Sequence, residues 1–184
     1  MTVVRSMQED VMEPMGAPRD CADAVALLVA CAAWVKELET QAHLVHFNYT
    51  GSNFLSVHGF LKGQYELHLE QFDVLGEHVR ALNYLMPLCG CDLKKAAEGF
   101  TAVNGTNGME MLAIYYGNLE KLACMATELE SVAAQCCAVD VQNTAAEVVG
   151  ATRKAAWFIK ATLGGCRSPG VDWCELCLAP CDLR

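Results

Sequence analysis

The sequence predicts an all-α protein, organised as a four-helix bundle with a long connection in its middle. Proline is absent between Pro18 and Pro87, and apolar residues in that stretch recur with helical rather than two-residue periodicity. Four long segments of the chain carry this pattern. The connection between the second and the third is about twenty residues long and is punctuated by glycine.

The first two helices are predicted to form a pair joined by a short turn. Asp20 and Asp23 can cap a first helix that runs through Val45. The glycine-containing turn at residues 51–53 ends it and offers a cap for the next helix. That second helix is predicted over residues 54–85, about eight turns.

The second half of the bundle follows Pro87. A short helix is predicted within the connection, at Leu93–Phe100. Two more long helices are predicted at Met109–Cys136 and Val141–Leu163, the latter capped by Asp140. Four long helices with a long connection between the second and third are typical of a ferritin-like bundle, in which those two helices run parallel and need a crossover.

The domain organisation follows from this pattern. A chain of 184 residues is the size of one domain. The bundle is predicted to occupy residues 21–165. An N-terminal tail at residues 1–20 and a cysteine-rich C-terminal tail at residues 166–184 lie outside the helical pattern.

Charge and hydropathy argue against several classes of function. The formal net charge of -9 disfavours binding to the phosphate backbone of nucleic acids and to anionic membranes. Neither tail is basic. The strongly apolar run Ala24–Val35 is shorter than the roughly 20 residues that span a bilayer. The first twenty residues lack the apolar core of a secretory signal. We therefore expect a cytoplasmic protein without direct DNA binding.

Eleven cysteines are present, fewer for this length than in a disulfide scaffold. In a reducing cytosol we expect most of them to be thiols, and those within helical sequence to be small buried side chains. Four crowd the C-terminal tail: Cys166, Cys174, Cys177 and Cys181. They could form a thiolate site for zinc or another metal, a redox-labile disulfide tail, or a tail without either role.

Four residues suggest metal chemistry. The Glu-x-x-His motif of di-iron bundles is absent, but His46, His58, Asp73 and Glu77 offer two imidazoles and two carboxylates, a reasonable ligand set for iron. On a straight helix, His58 and Asp73 would be separated by about 22 Å, so one chain cannot place both on one metal. Two antiparallel copies of the second helix about a two-fold axis would bring them together.

The same residues resemble the Dps (DNA protection during starvation) mini-ferritins. The segment His46–His58 is similar to the family signature H-x-N-x-x-G-x-x-F-x-x-x-H, and Asp73–Glu77 follows at the family spacing. Lys154–Phe158 resembles the K-x-x-W-F segment of the family's last helix. The resemblance extends over about Ala24–Leu163.

This resemblance implies a hollow dodecameric cage that oxidises Fe(II) at its two-fold interfaces, preferentially with hydrogen peroxide, and stores the product as a mineral. Such a ferroxidase would protect the cell from oxidative damage, with His46, His58, Asp73 and Glu77 as catalytic iron ligands. Two alternatives stay open: a DNA-compacting architectural protein, and a thiol-based metal or redox module on a ferritin-like platform.

Three positions depart from the family pattern. Lys62 stands where many members carry an aspartate that helps hold a second iron, and an ammonium there repels a second cation. The sequence does not decide whether each site holds one iron or two. Phe47 replaces a common tryptophan, and His78 replaces a common arginine. We assign His43, His68 and His78 no ligand role and expect them to be structural or on the surface.

Overall fold

The computed structural model describes residues 20–164, which fold into helices without a strand. These residues form five helices: α1 Ala22–Asn48, α2 Phe54–Ala81, α3 Gly90–Ala96, α4 Gly108–Gln135 and α5 Val139–Thr162. The predicted all-α bundle with a short helix in its crossover is therefore confirmed. Most of both predicted tails falls outside the described residues.

The four long helices pack as two hairpins. The short connections at residues 49–53 and 136–138 fold α2 back onto α1 and α5 back onto α4. The two hairpins meet chiefly where α1 packs against α4. The crossover at residues 82–107 joins them, and its helix α3 lies against α1.

The bundle core is a continuous layer of apolar side chains along the facing sides of the long helices. Its largest fully buried members are Leu28, Leu38, Leu61, Leu75, Leu112, Leu119, Leu122, Leu129 and Tyr115. Burying one such leucine contributes about 2 kcal/mol relative to leaving it in water. This core holds α1 and α2 in register.

A buried polar cluster fixes the end of the crossover. The Asn118 side-chain amide donates to the Thr101 carbonyl at 2.7 Å and to Gln41 Oε1 at 2.9 Å, and its Oδ1 accepts from the Thr101 N–H at 3.2 Å. Gln41 donates in turn to the same carbonyl. Because each of these polar groups has a partner, the crossover is fastened to α1 and α4 without an unpaired buried amide.

The helix ends differ from the sequence prediction where backbone geometry decides them. α2 ends at Ala81 rather than near residue 85, because Asn83 takes a left-handed conformation (φ 67°) and the Tyr84 N–H bonds to the Val79 carbonyl. The short helix begins at Gly90, three residues before the prediction. Asp140 does not cap α5, because the helix begins two residues before the prediction, at Val139, and Asp140 lies in its first turn.

Candidate metal centre

His46 and His58 face each other across the turn that joins α1 to α2. His46 lies in the last turn of α1, and His58 lies in the second turn of α2. Their rings stack with centroids 3.6 Å apart and planes 20° from parallel. His46 is buried and His58 is half-buried. The two predicted histidine ligands are therefore neighbours within one chain.

Reciprocal hydrogen bonds fix the tautomer of both rings. His46 Nδ1 lies 2.8 Å from the His58 carbonyl oxygen, and His58 Nδ1 lies 3.0 Å from the His46 carbonyl oxygen. A carbonyl only accepts, so in the neutral rings each Nδ1 carries the proton and donates it. Each Nε2 is then left with a lone pair. This is the arrangement in which protein imidazoles bind metals.

Aromatic side chains surround the two histidines. Phe54 lies against His58 with ring centroids 5.0 Å apart, and Tyr65 approaches His46 edge-on at 5.5 Å. His43 stacks on Tyr65 at 4.0 Å and on Phe47 at 4.9 Å. His43 is thus engaged in packing, in agreement with its expected structural role.

Asp73 and Glu77 do not reach the histidines of their own chain. Both carboxylates are exposed, and both lie in the C-terminal third of α2. The straight run of helix from His58 to Asp73 spans about 22 Å. Within the part of the chain that the structure describes, no three of these four side chains bring their ligand atoms within 4.8 Å of one another. Within one protomer the predicted ligands therefore fall into two separate groups, His46 with His58 and Asp73 with Glu77, which we call the predicted half-sites.

His58, Asp73 and Glu77 share one stripe of α2 with exposed apolar side chains. The stripe recurs every three or four residues and consists of Leu55, His58, Lys62, Glu66, Leu69, Asp73 and Glu77. Leu55 is 83% exposed and Leu69 is 55% exposed. Leu44 and Phe47, near the end of α1, are also more than half exposed. Exposed large apolar groups beside the half-sites are typical of a surface that binds a partner.

We call this set of seven residues the α2 stripe. Lys62 and Glu66 occupy its middle. Their Nζ and Oε1 atoms lie 3.8 Å apart, and both side chains are more than half exposed. An exposed pair of this kind contributes little to folding. It places a positive charge one turn from His58.

The other two histidines have structural roles, as expected. His78 Nε2 lies 2.8 Å from Thr144 Oγ1, and its Nδ1 lies 3.3 Å from an Asp140 carboxylate oxygen, so His78 links α2 to the start of α5. His68 is fully buried in the bundle. Its Nδ1 donates to Gln71 Oε1 at 2.9 Å, and its Nε2 accepts from the Tyr115 hydroxyl at 2.8 Å.

The buried His68 predicts a loss of stability in mild acid. Burial lowers the pKa of His68 from 6.5 to about 4, outweighing the opposite effect of the Gln71 hydrogen bond. The unfolded chain takes up this proton near pH 6.5 and the folded chain only near pH 4, so the stabilisation is complete above pH 6.5 and is lost as pH falls through this window. The loss reaches at most about 3 kcal/mol.

Urea unfolding of wild type and of His68→Gln, at one protomer concentration and at pH 7 and pH 5, measures this effect. We expect the free energy of unfolding of wild type to be lower at pH 5 than at pH 7. The decrease should be smaller in the variant, because the variant lacks the contribution of His68. Equal drops would show that His68 is not the group responsible.

A second group of potential ligands lies in the crossover and was not predicted from the sequence. Cys89 and Cys91 form a disulfide across Gly90, and Asp92 follows directly. One ligand atom from each of Cys89, Cys91 and Asp92 lies within 4.8 Å of the others, and all three residues are exposed. The available signal was the Cys-x-Cys-Asp sequence itself, because it places three potential ligands in four residues.

The remaining cysteines divide by position. Cys21 and Cys31 are buried, as expected for small apolar side chains, and burial raises the pKa of Cys31 to about 12. The same expectation is wrong for the other helical cysteines: Cys124 and Cys136 are half-buried and Cys137 is exposed. Cys166, Cys174, Cys177 and Cys181, with their possible zinc site, lie outside the described residues. No helix between residues 20 and 164 is long and apolar enough to cross a membrane.

Comparison with known proteins gives matches at the level of structure. No family model matches the sequence, and no curated protein matches it either. Antigen TpF1 from Treponema pallidum superimposes with a TM-score of 0.74 at 22% identity, covering 82% of this chain and 99% of that one. Dps from Thermosynechococcus elongatus superimposes with a TM-score of 0.73 at 18% identity, covering 77% of this chain and 90% of that one.

A third match broadens the comparison. The bacterioferritin-related protein from Bacteroides fragilis, described as a dodecameric thioferritin, gives a TM-score of 0.74 at 11% identity, covering 80% of this chain and 88% of that one. Helix order, crossover and these matches together define a ferritin-like bundle. More narrowly, the chain has the mini-ferritin fold of the Dps proteins.

Proposed function

We propose that this protein is a ferroxidase and iron-storage cage, which oxidises Fe(II) with hydrogen peroxide and holds the ferric product. The observation that carries the proposal is the pair His46 and His58, whose Nδ1 hydrogen bonds leave both Nε2 lone pairs for a metal. The fold similarity to Dps proteins supports the same function.

The proposed site combines both half-sites across a two-fold axis. The Nε2 atoms of His46 and His58 bind Fe(II) as neutral ligands, which suit this metal. Asp73 and Glu77 of a second copy add two negative charges, which offset the charge of Fe(II) and favour the more highly charged Fe(III) product. Overall, two Fe(II) ions give two electrons to one hydrogen peroxide, which takes up two protons and leaves as two waters. Because the site holds about one tightly bound ion, the second Fe(II) is supplied from solution.

The α2 stripe supports the assembly that this site requires. If two stripes pack antiparallel with His58 opposite residues 73–77, the helices cross near Glu66. The two Glu66 carboxylates then approach each other, and the Lys62 ammonium groups one turn away offset their repulsion. Leu55 and Leu69 are buried in the same contact. We propose that six such pairs form a dodecamer, the assembly named for the Bacteroides fragilis protein.

Direct binding of duplex DNA is not part of the proposed function. Each chain carries a formal net charge of -9, and twelve copies multiply the repulsion from the phosphate backbone. Protection from oxidative damage would come from removing Fe(II) and peroxide together.

Anaerobic titration of the assembled protein with Fe(II), followed by peroxide or oxygen, tests the proposed function. We expect about one tightly bound Fe(II) per chain, since Lys62 repels a second cation beside His58. Peroxide should oxidise the bound iron faster than oxygen does. Asp73→Asn with Glu77→Gln is a nearly isosteric control that should abolish tight binding. Absence of tight Fe(II) binding by the wild-type assembly would contradict the proposal.

A further inference from the structure

The Cys89–Cys91 disulfide contributes little to holding the fold together. It closes a loop of only three residues, so it constrains the unfolded chain very little. Both cysteines belong to the crossover, and the bond joins no two long helices. Both are exposed to solvent and to exchange with other thiols. Exposed disulfides that are not needed for folding are those that exchange readily, and they are rare in a reducing compartment unless they act in redox chemistry.

The Asp92 carboxylate lies beside this disulfide. The Asp92 N–H donates to Cys89 Sγ at 3.3 Å, and the Asp92 Oδ2 atom lies 3.2 Å from the same sulfur. The other carboxylate oxygen, Oδ1, accepts from Lys95 Nζ at 2.8 Å. Lys95 and Asp92 offset each other's charge as an exposed pair, and Oδ2, the oxygen that Lys95 does not bind, lies on the side of Cys89 Sγ.

The spacing of these atoms suits a tetrahedral ion. Zinc bound to thiolates at about 2.3 Å requires ligand atoms roughly 3.8 Å apart. The two sulfurs and one carboxylate oxygen already lie within 4.8 Å of one another. Once the disulfide is opened, small rotations of the cysteine side chains are enough to reach this geometry. Three protein ligands leave the fourth position to water or to an added ligand, as in open zinc sites.

We propose that reduced Cys89, Cys91 and Asp92 form a redox-gated site for a thiophilic divalent cation such as Zn²⁺. A dithiol reductant opens the disulfide, becomes oxidised itself and leaves two thiols. Binding of Zn²⁺ to the two thiolates releases their two protons. Hydrogen peroxide then takes the two electrons of the sulfurs and two protons, which gives two waters, the disulfide and the free cation. This site is independent of the proposed iron chemistry at α1 and α2.

Metal counting on the full-length assembly tests the site. Protein reduced with a phosphine and freed of metal is titrated anaerobically with Zn²⁺, and with Co²⁺ for its thiolate charge-transfer absorption. We expect wild type to bind about one more ion per chain than Cys89→Ala/Cys91→Ala, in which the C-terminal cysteines are still present. Asp92→Asn should lower the affinity for that ion about tenfold, whereas Glu98→Gln, at a nearby exposed carboxylate, should leave the affinity unchanged. Equal counts in wild type and the double variant would overturn the proposal.

A second measurement needs no variant. Zn²⁺ should slow alkylation of Cys89 and Cys91 in the reduced wild-type protein at least about tenfold, as read from the tryptic peptides. Unchanged alkylation rates would overturn the site. Adding peroxide to the zinc-loaded protein should restore the Cys89–Cys91 disulfide and release the ion that distinguishes wild type from the double variant. Retention of that ion after the disulfide has formed would overturn the gating.

Discussion

Replacing His46 and His58 together by alanine is expected to slow peroxide-driven Fe(II) oxidation at least about 100-fold. Losing a group that only hydrogen-bonds to a metal ligand typically lowers metal affinity or activity 10- to 100-fold. This variant removes two of the proposed ligands themselves. Alanine preserves α1 and α2, because it is the best helix former. The rate is measured by stopped-flow absorbance of the ferric product in the assembled protein.

His43→Ala is the matched control for this variant. His43 lies one turn before His46 and packs against Tyr65 and Phe47, so its loss removes a neighbouring imidazole without removing a proposed ligand. It should change the oxidation rate by less than about threefold. If the double variant oxidised iron as fast as wild type while keeping its assembly, the histidine site would be wrong.

Introducing charge into the α2 stripe is expected to break the two-fold contact. In Leu55→Asp/Leu69→Asp, four leucines are lost from each two-fold interface, and each contributes roughly 2 kcal/mol when buried. The introduced carboxylates also face a surface that carries Glu66 and Asp73. We expect dissociation to smaller species in sedimentation velocity and loss of rapid iron oxidation, while helical content stays unchanged, because both side chains are exposed in one protomer.

Val139→Asp tests whether any exposed apolar residue would behave in this way. Val139 is 60% exposed at the first position of α5, where an acidic side chain is compatible with the helix dipole. This variant should assemble and oxidise iron like wild type. Full assembly of the leucine variant would contradict the role given to the α2 stripe.

The architecture was predictable because local signals and packing agree. The turn at residues 51–53 and the glycine-rich crossover separate helices whose apolar faces are continuous, and the structure places breaks at both positions. Helix ends were less predictable. Asn83 and Cys137 both take left-handed conformations that end α2 and α4, although neither is the glycine usually found there.

The candidate site was predictable only in part. The spacing of His46, His58, Asp73 and Glu77 indicates a ligand set, and the rise of a helix indicates that two chains must share it. The hydrogen bonds that fix both imidazole tautomers depend on the backbone carbonyls of the facing helix, which residue types do not specify. Cys89 and Cys91 were missed although Cys-x-Cys-Asp is visible in the sequence, because residue types alone do not show that both sulfurs and the Asp92 carboxylate lie within 4.8 Å of one another.

Mixed assemblies test the central claim, a metal site shared by two chains, most directly. His46→Ala/His58→Ala protomers and Asp73→Asn/Glu77→Gln protomers are each inactive alone in this account. In a mixed pair, one of the two sites unites the intact histidines of one chain with the intact carboxylates of the other. Co-assembly at equal amounts should therefore restore about one quarter of the wild-type sites, whereas mixing without reassembly should restore none. Verified mixed cages that stay inactive would contradict the shared site.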